Sequence, residues 1–564
     1  MMESTNTATD IISIPLQNQT GLDEKQYTIY VLGFSTTSRK MLDVANETTT
    51  ARFVPIRKAS GTLPVFKLGA EISQISIDVT PPLDPSARID GARIYFFVAD
   101  KSKFPNAPQV SYTGNGANVI NVKNPPNSDA PPYTFAEFTV VDLNYGAVID
   151  LQTVDGLTFP LNLTLNDSHG AVGQPLSANT GFNRAAIFAA YKTFMNGIGP
   201  ESAPFLDLQY STNSGGLLNP GLYLTETNET NELTNLGSPL NSLFDNDLKT
   251  LFSNLKLSIQ GVSAGSISAD VYTVESIGEQ PLPTTNGLSH PALHFKGKTN
   301  GLELNVFSPL GLCTLAFDNK GTDTAISGQL DNTTLTFDTA LPSDTNILVG
   351  MYVSGAGVDP NNTTVKSVTR DAGNNITGVV ISGTETGKPA PSQYGFSKIP
   401  GMFMTSGAMV FANAGVFAYF GGYAAEQATV VLNLQNQLVS ALNRGVANAA
   451  PTSGADGYSS QYWGTQTNWY PSATTQNLFS LFMHTATVAA GKDNIPVFIQ
   501  AKGSTTCARG TTMGQAYGFA YDENAGPVPP APSGQPEVPS KFDPLPRGAN
   551  VLTITLGAWS QQTL

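Results

Sequence analysis

The stretch from Phe135 to Leu165, FAEFTVVDLNYGAVIDLQTVDGLTFPLNLTL, places the tightest constraint on the fold. It is apolar, β-branched and aromatic, which is strand composition, yet it carries Glu137, Asp142, Asp150 and Asp155. A carboxylate in a strand core is costly unless it is paired or has a task. The segment reads as a hairpin, with one strand over 133–141 and a second over 147–157. The turn between them, 142–146, contains Asn144 and Gly146, which supply turn chemistry. One of the four carboxylates is thereby a turn residue, and the others need a reason to be there.

The surrounding chain has the same texture. From Ile11 to Leu165, short apolar or alternating runs such as YTIYVLGF, ISQISIDV and ARIYFFVAD are broken by Pro, Gly, Asn and Asp. That is the pattern of a β-sandwich or barrel. After Thr180 the period changes. FNRAAIFAAYKTFM and PLNSLFDNDLKTLFSNL read as amphipathic helices, the second with Pro239 near its start. AEQATVVLNLQNQLVSALNRG is the clearest helix, with Val431, Leu434, Leu438 and Leu442 on one stripe and Gly445 as its stop. QNLFSLFMHTAT is a further helix, and LKLSIQGV, ADVYTVE and ALHFKG are strands between helices. The segment from Ile399 to Ala425 carries no charge but contains Thr405, Ser406, Asn413 and many glycines, and is expected to be buried strands with Gly turns rather than a membrane span.

A chain of 564 residues exceeds one hydrophobic core and implies about two to four domains. The expected fold is α+β. Residues 1–180 form a β-barrel or sandwich domain, 181–318 with 398–548 a mixed α/β domain, and 319–397 a small all-β insert rich in Thr and Asn. A Pro-rich stretch, GPVPPAPSGQPEVPSKFDPLP, leads to a last strand within 549–564 that is expected to rejoin the first sheet.

Charge narrows the partners. The net charge is −14 and the pI about 4.7, which argues against a surface that tracks phosphates, and so against nucleic acid, and disfavours an anionic membrane. A neutral polysaccharide is not repelled. Cys313 and Cys507 are the two cysteines; a single disulfide and two free thiols both remain open, and there is no zinc-ligand spacing. No metal or other cofactor is expected. The N-terminus lacks a basic region followed by an apolar one and does not read as a secretory signal. Nine N-x-S/T sequons occur, which the abundance of Asn and Thr explains by chance.

Most catalytic motifs fail. Gly261-Val-Ser263-Ala-Gly265 matches a nucleophile elbow, but a strand follows where a helix is required, so it reads as a hairpin turn. His290 and His294 are separated by Pro291, and four histidines in the whole chain leave little room for a His-based triad or metal cluster. No phosphate-binding glycine loop is present. Carboxylate acid–base chemistry remains. Glycoside hydrolysis uses two carboxyl groups, roughly 6.5–9.5 Å apart in inverting enzymes. With Glu137 opposite Thr153, Asp155 is its diagonal neighbour on the same face, at roughly 7–8 Å between backbone positions. A shifted register brings Asp150 there instead and turns Asp155 away. The residues by themselves leave both registers open, along with solvent-facing carboxylates of no catalytic role.

The same stretch resembles the glycoside hydrolase family 64 endo-β-1,3-glucanases, relatives of the thaumatin-like fold. The resemblance lies in Phe135-Ala136-Glu137-Phe138-Thr139, in Val154-Asp155-Gly156-Leu157 running on to Leu161, and upstream in Ala92-Arg93-Ile94-Tyr95-Phe96. It continues in order through Val410 to Phe417, Asn443-Arg444-Gly445, Thr467 to Tyr470, His484 and Ala516 to Asp522. The resemblance implies a β-barrel domain beside a mixed α/β domain, a glucan groove between them and an inverting mechanism. It makes Glu137 the general acid and Asp155 the general base, and puts Thr139 at the sugar-binding floor. The segment Tyr462 to Tyr470 suits stacking on sugars and names Trp463, Asn468, Trp469 and Tyr470 as substrate-binding residues, against the plainer reading of a loop folded onto the core. His484, Tyr517 and Tyr521 read as structural. The expected protein is an extracellular monomer acting on β-1,3-glucan; the runner-up is a thaumatin-like protein that binds glucan without cleaving it.

Overall fold

A computed structural model describes residues 11–78, 89–113, 119–120, 131–165, 171–173, 184–210, 216–226, 233–383, 392–412, 423–448, 462–485, 541–542 and 552–559, interrupted by short gaps that include 143–145 and 153–155. The architecture is α+β. The first strands are β1 (Ile11–Asn18), β2 (Tyr27–Ser35), β3 (Lys40–Val44), β4 (Thr50–Pro55), β5 (Gln74–Asp78), β6 (Ile89–Asp100), β7 (Tyr133–Asp142), β8 (Gly146–Gln152) and β9 (Leu161–Leu165). A four-stranded meander follows, β10 (Lys256–Gly261), β11 (Asp270–Pro281), β12 (Ser289–Gly297) and β13 (Glu303–Phe307). Strands β14 (Ile326–Asp331), β15 (Thr334–Leu341), β16 (Val365–Arg370), β17 (Ile376–Ile381) and β18 (Ser392–Ser397) belong to a separate sheet. The last two, β19 (Lys541–Phe542) and β20 (Leu552–Leu556), return to the first sheet.

That first sheet runs in the order β9-β20-β1-β5-β4-β3-β2-β6-β7-β8-β19. β20 lies between β1, to which it is parallel, and β9, to which it is antiparallel. Its middle strands are covered on both faces, which explains why ARIYFFVAD reads as one continuous apolar run. In β6, Ala92, Ile94, Phe96 and Val98 enter the main core, while Tyr95, Phe97 and Ala99 enter a second, largely aromatic cluster. β2 and β7 split the same way: Ile29, Val31, Ala136 and Phe138 face the main core, and Tyr30, Phe34, Tyr133 and Phe135 the aromatic one. Ile56, Leu63, Phe104, Val110 and Tyr112 cap the aromatic side.

Helices α1 (Arg184–Ile198), α2 (Pro220–Thr225), α3 (Asp245–Asn254), α4 (Ser406–Ala412), α5 (Ala425–Asn443) and α6 (Leu478–Thr485) contribute to the main core. α5 carries Val431, Leu434, Leu438 and Leu442 into it, and Gly445 then takes φ 71°, the left-handed conformation that ends a helix. The run Gly261 to Gly265 lies in the β10–β11 connection. α4 corrects the strands expected between Ile399 and Ala425. All of Ser406 to Phe411 is buried, so the segment shows no periodicity by which a strand and a helix could be told apart. Small residues decide the outcome: a Cβ on Gly407 would stand 2.0 Å from the Leu240 carbonyl, and one on Gly221 of α2 would stand 2.8 Å from Ala412. Thr405 Oγ1 accepts from the Ala408 N–H and caps the turn.

The sheet β14–β18 has its own core of Ile326, Leu330, Leu335, Phe337, Val353, Val379, Tyr394 and Phe396, among others. Pairing of Cys313 with Ser397 brings the two ends of this segment together.

Candidate active site

Glu137 sits where the aromatic cover of the sheet stops. Along β6 and β7, Phe97 and Tyr133 are followed by Tyr95 and Phe135, whose rings pack at 5.1 Å, and then by Arg93 and Glu137. Glu137 is directly opposite Arg93, and Arg93 Nε donates to Glu137 Oε2 at 3.1 Å. Both side chains are about one-third exposed, at 33% and 29%, so the pair faces solvent at the rim of the cluster rather than inside it. The guanidinium lies 4.7 Å over the Phe135 ring and its NH1 is 3.4 Å from the Tyr95 hydroxyl, so Arg93 is held from three sides.

The register of the hairpin differs from the one expected. Glu137 is opposite Asp150, not Thr153, and Phe135 is opposite Gln152. The ladder is irregular between Thr139 and Asp142, and Asp142 then pairs with Gly146. Residues directly opposite on antiparallel strands share a face, so Glu137 and Asp150 occupy one row. The row continues outward to Arg93 on β6 and Phe34 on β2, and on the far side to Lys541 on β19, which pairs with Asp150. Asp155 lies outside the described residues. The chain resumes at Gly156, with φ 133°, and the Thr158 hydroxyl then donates to the Tyr133 carbonyl.

Thr139 is half-buried one step further along β7, and its Oγ1 accepts from the Gly91 N–H at 3.0 Å. Its hydroxyl therefore holds the start of β6 against β7. Ser35 and Ser38 hold the same start of β6, through the Asp90 carbonyl and the Asp90 N–H, the latter at 2.7 Å.

Residues 10–217 match the family model described as "Beta-1,3-glucanase", that of glycoside hydrolase family 64. The match covers well under half of the chain, and this part of it is similar to family 64 sequence. The family is one of β-1,3-glucanases, which are glycoside hydrolases. No curated protein matches the chain. Among solved structures, a family 64 β-1,3-glucanase domain from Clostridium beijerinckii aligns at TM-score 0.47 and 15% identity over 98% of each chain. A laminaripentaose-producing β-1,3-glucanase in complex with laminaritetraose aligns at TM-score 0.41 and 15% identity, over 98% of this chain and 100% of that one. A family 64 enzyme from Paenibacillus barengoltzii aligns at TM-score 0.25 and 18% identity over 40% of this chain and 53% of its own. The functional reading rests on the family match, which contains Arg93, Glu137, Thr139, Asp150 and Asp155.

The aromatic segment named as a sugar platform lies beyond the family 64 match and is placed differently from expectation. Trp463 and Tyr470 are core residues, 1% and 3% exposed, and offer no ring face to a polymer. Trp469 is half-buried; its Nε1 donates to the Trp463 carbonyl at 2.7 Å, and Arg444 stacks on its ring at 3.8 Å. Asn468 Nδ2 donates to the Tyr462 carbonyl at 3.0 Å. Trp463, Trp469 and Tyr470 are thus held on the core through Arg444, a burial that an aromatic-rich composition cannot signal.

Other titratable groups lie in the meander and the helices. His290 is buried, with Nε2 2.8 Å from the Ser308 carbonyl and Nδ1 3.1 Å from Lys398 Nζ. Burial, then the Lys398 charge, pushes its pKa down to about 3. Asp245, at the start of α3, has its pKa raised to about 6 by burial, which the Ser406 hydroxyl bonded to Oδ1 partly opposes. Among the described residues, no group of three His, Cys, Asp or Glu is placed to hold a metal ion. Arg93 is the site residue to which sequence reasoning gave no role. Its signal was its place two residues before Tyr95 in a strand of period two.

Proposed function

We propose that the protein is an endo-acting β-1,3-glucanase that cleaves with inversion, using Glu137 as general acid and Asp155 as general base. The observation that carries the reading is Glu137, inside the family-matched segment, partly exposed at the rim of the aromatic cluster and anchored through one carboxyl oxygen to Arg93. In the reaction, Glu137 gives its proton to the glycosidic oxygen as the bond from that oxygen to C1 breaks, and the electron pair stays on the oxygen. Water adds to C1 from the opposite face and loses its proton to the base carboxylate, so one water is consumed for each bond cut. The polymer would lie across the open end of the row, in a groove bounded by the barrel-like, thaumatin-like half and the helical half. An extracellular monomer fits this substrate.

The observed register supports a division of labour between the two aspartates. A directly opposite residue such as Asp150 stands at roughly 4.5–5.5 Å between Cβ atoms. A neighbour in that register suits the shorter carboxyl spacing of retaining enzymes, roughly 5–5.5 Å, better than the roughly 6.5–9.5 Å of inverting ones. Retention would call for Asp150, and inversion for a carboxylate further from Glu137, the role proposed for Asp155. NMR of the first anomer released from laminarin tests this. An α product, with Asp155→Asn losing at least about 100-fold in turnover and Asp150→Asn much less, is the expected result. A β product together with a severe Asp150→Asn defect would move the second carboxyl role to Asp150. No release of sugar by the wild-type protein, with retention on insoluble glucan, would replace the hydrolase reading with a binding one.

A further inference from the structure

We infer that Gly91 is a specificity-determining residue: its missing side chain keeps Glu137 Oε1 open to the sugar. The inference rests on the reading of Glu137 as the proton donor and adds which oxygen works and what guards it. Arg93 Nε occupies Oε2 at 3.1 Å. A donor carboxyl anchored in this way carries its transferable proton on the other oxygen, so the glycosidic oxygen must approach Oε1. Oε1 faces Gly91, where an added Cβ would stand 4.0 Å away, in van der Waals contact. A side chain longer than that of Ala at position 91 starts 4.0 Å from Oε1 and has rotamers that can reach the space beside it. Gly91 also has φ +55°, a left-handed conformation that β-carbon-bearing residues other than Asn and Asp adopt at a cost.

The start of β6 is held in place by three hydrogen bonds. The Gly91 N–H is bonded to Thr139 Oγ1, and the neighbouring Asp90 is bonded on both sides, through its N–H to Ser38 Oγ and through its carbonyl to Ser35 Oγ. Glycine at position 91 thus meets two requirements, backbone conformation and empty space, and two substitutions separate them. Asn tolerates the left-handed conformation better than Ala but is the bulkier side chain.

Gly91→Ala and Gly91→Asn should be compared with wild type for melting temperature and for kcat/KM on laminarin. The expected stability order is Gly, Asn, Ala. The expected activity order is Gly, Ala, Asn, with Asn lowering kcat/KM at least about tenfold. If activity follows stability, so that Asn is the better enzyme, Gly91 serves the backbone alone and the inference is overturned. If wild type is inactive on laminarin, or Glu137→Gln is as active as wild type, the underlying reading of Glu137 fails first, and that outcome is distinct from an active wild type with the unexpected order.

Discussion

Acid should destabilise this protein through His290, and the size of the effect follows from the geometry. Lys398 Nζ has only donors to offer, so His290 Nδ1 must accept, and Nε2–H must donate to the Ser308 carbonyl. The folded state therefore holds the neutral ring, with its pKa lowered from 6.5 to about 3. A histidine with a depressed folded pKa binds its proton more readily when unfolded. Its contribution to stability is present above pH 6.5 and is lost as pH falls towards 3. At about 1.4 kcal/mol per unit, the fall from pH 7 to pH 5 removes about 2 kcal/mol, and the whole window about 4–5 kcal/mol.

The assay is urea unfolding followed by circular dichroism at pH 7 and pH 5, on wild type and on His290→Gln. Gln can donate and accept but does not titrate. It should cost stability at pH 7 because it fits the imidazole site imperfectly, yet its stability should change less with pH than that of wild type, by about 2 kcal/mol between the two pH values. Taking the difference between the two proteins removes every other titrating group, Asp245 included. An equal pH dependence in both proteins would refute the argument, and so would a His290 NMR signal that titrates near 6.5 in the folded state.

Asp245 should act with the opposite sign. Its raised folded pKa favours the protonated form, so it contributes stability at low pH that is lost as pH rises through about 6. Asp245→Asn, which retains an acceptor for Ser406, should stabilise the protein by about 1–2 kcal/mol at pH 8 and by little at pH 4, measured by thermal melts at the two pH values; equal effects at both would refute it. Replacing residues 319–397 with a short Gly/Ser linker should leave the remainder folded, because the segment has its own core and its ends meet at the Cys313–Ser397 pair. Circular dichroism and laminarin release by the shortened chain check this, and an unfolded remainder would refute it.

What the sequence made legible follows the physics of each element. α5 could be read because its apolar residues Val431, Leu434, Leu438 and Leu442 recur at a period near 3.6, although from Gln437 to Asn443 the helix is buried all round. The hairpin of β7 and β8 could be read because β-branched runs flank a turn with Asn144 and Gly146. α4 could not, since a segment apolar all round has no phase. Trp463 and Tyr470 could not be placed, because the same rings serve a sugar groove or a core. What decides is Arg444, whose NH1 donates to the Trp463 carbonyl and whose carbonyl accepts from the Tyr470 N–H.

The register of the site was the hardest feature to foresee, for a reason that itself points to function. Like charges directly opposite on neighbouring strands are unfavourable, so a pairing chosen for stability alone would avoid placing Glu137 against Asp150. The fold adopts that pairing nonetheless. It flanks the two acidic positions with basic ones, Arg93 bonded to Glu137 on one side and Lys541 in register with Asp150 on the other. Lys541 arrives about 390 positions later in the chain, from within the Pro-rich stretch, and no local pattern around Asp150 announces it. Local rules are broken where a site needs charge that the fold alone would not select, and the compensation comes from distant sequence. The row Arg93, Glu137, Asp150, Lys541 has that form in its register, two acidic positions paired across β7 and β8 with one basic position beyond each.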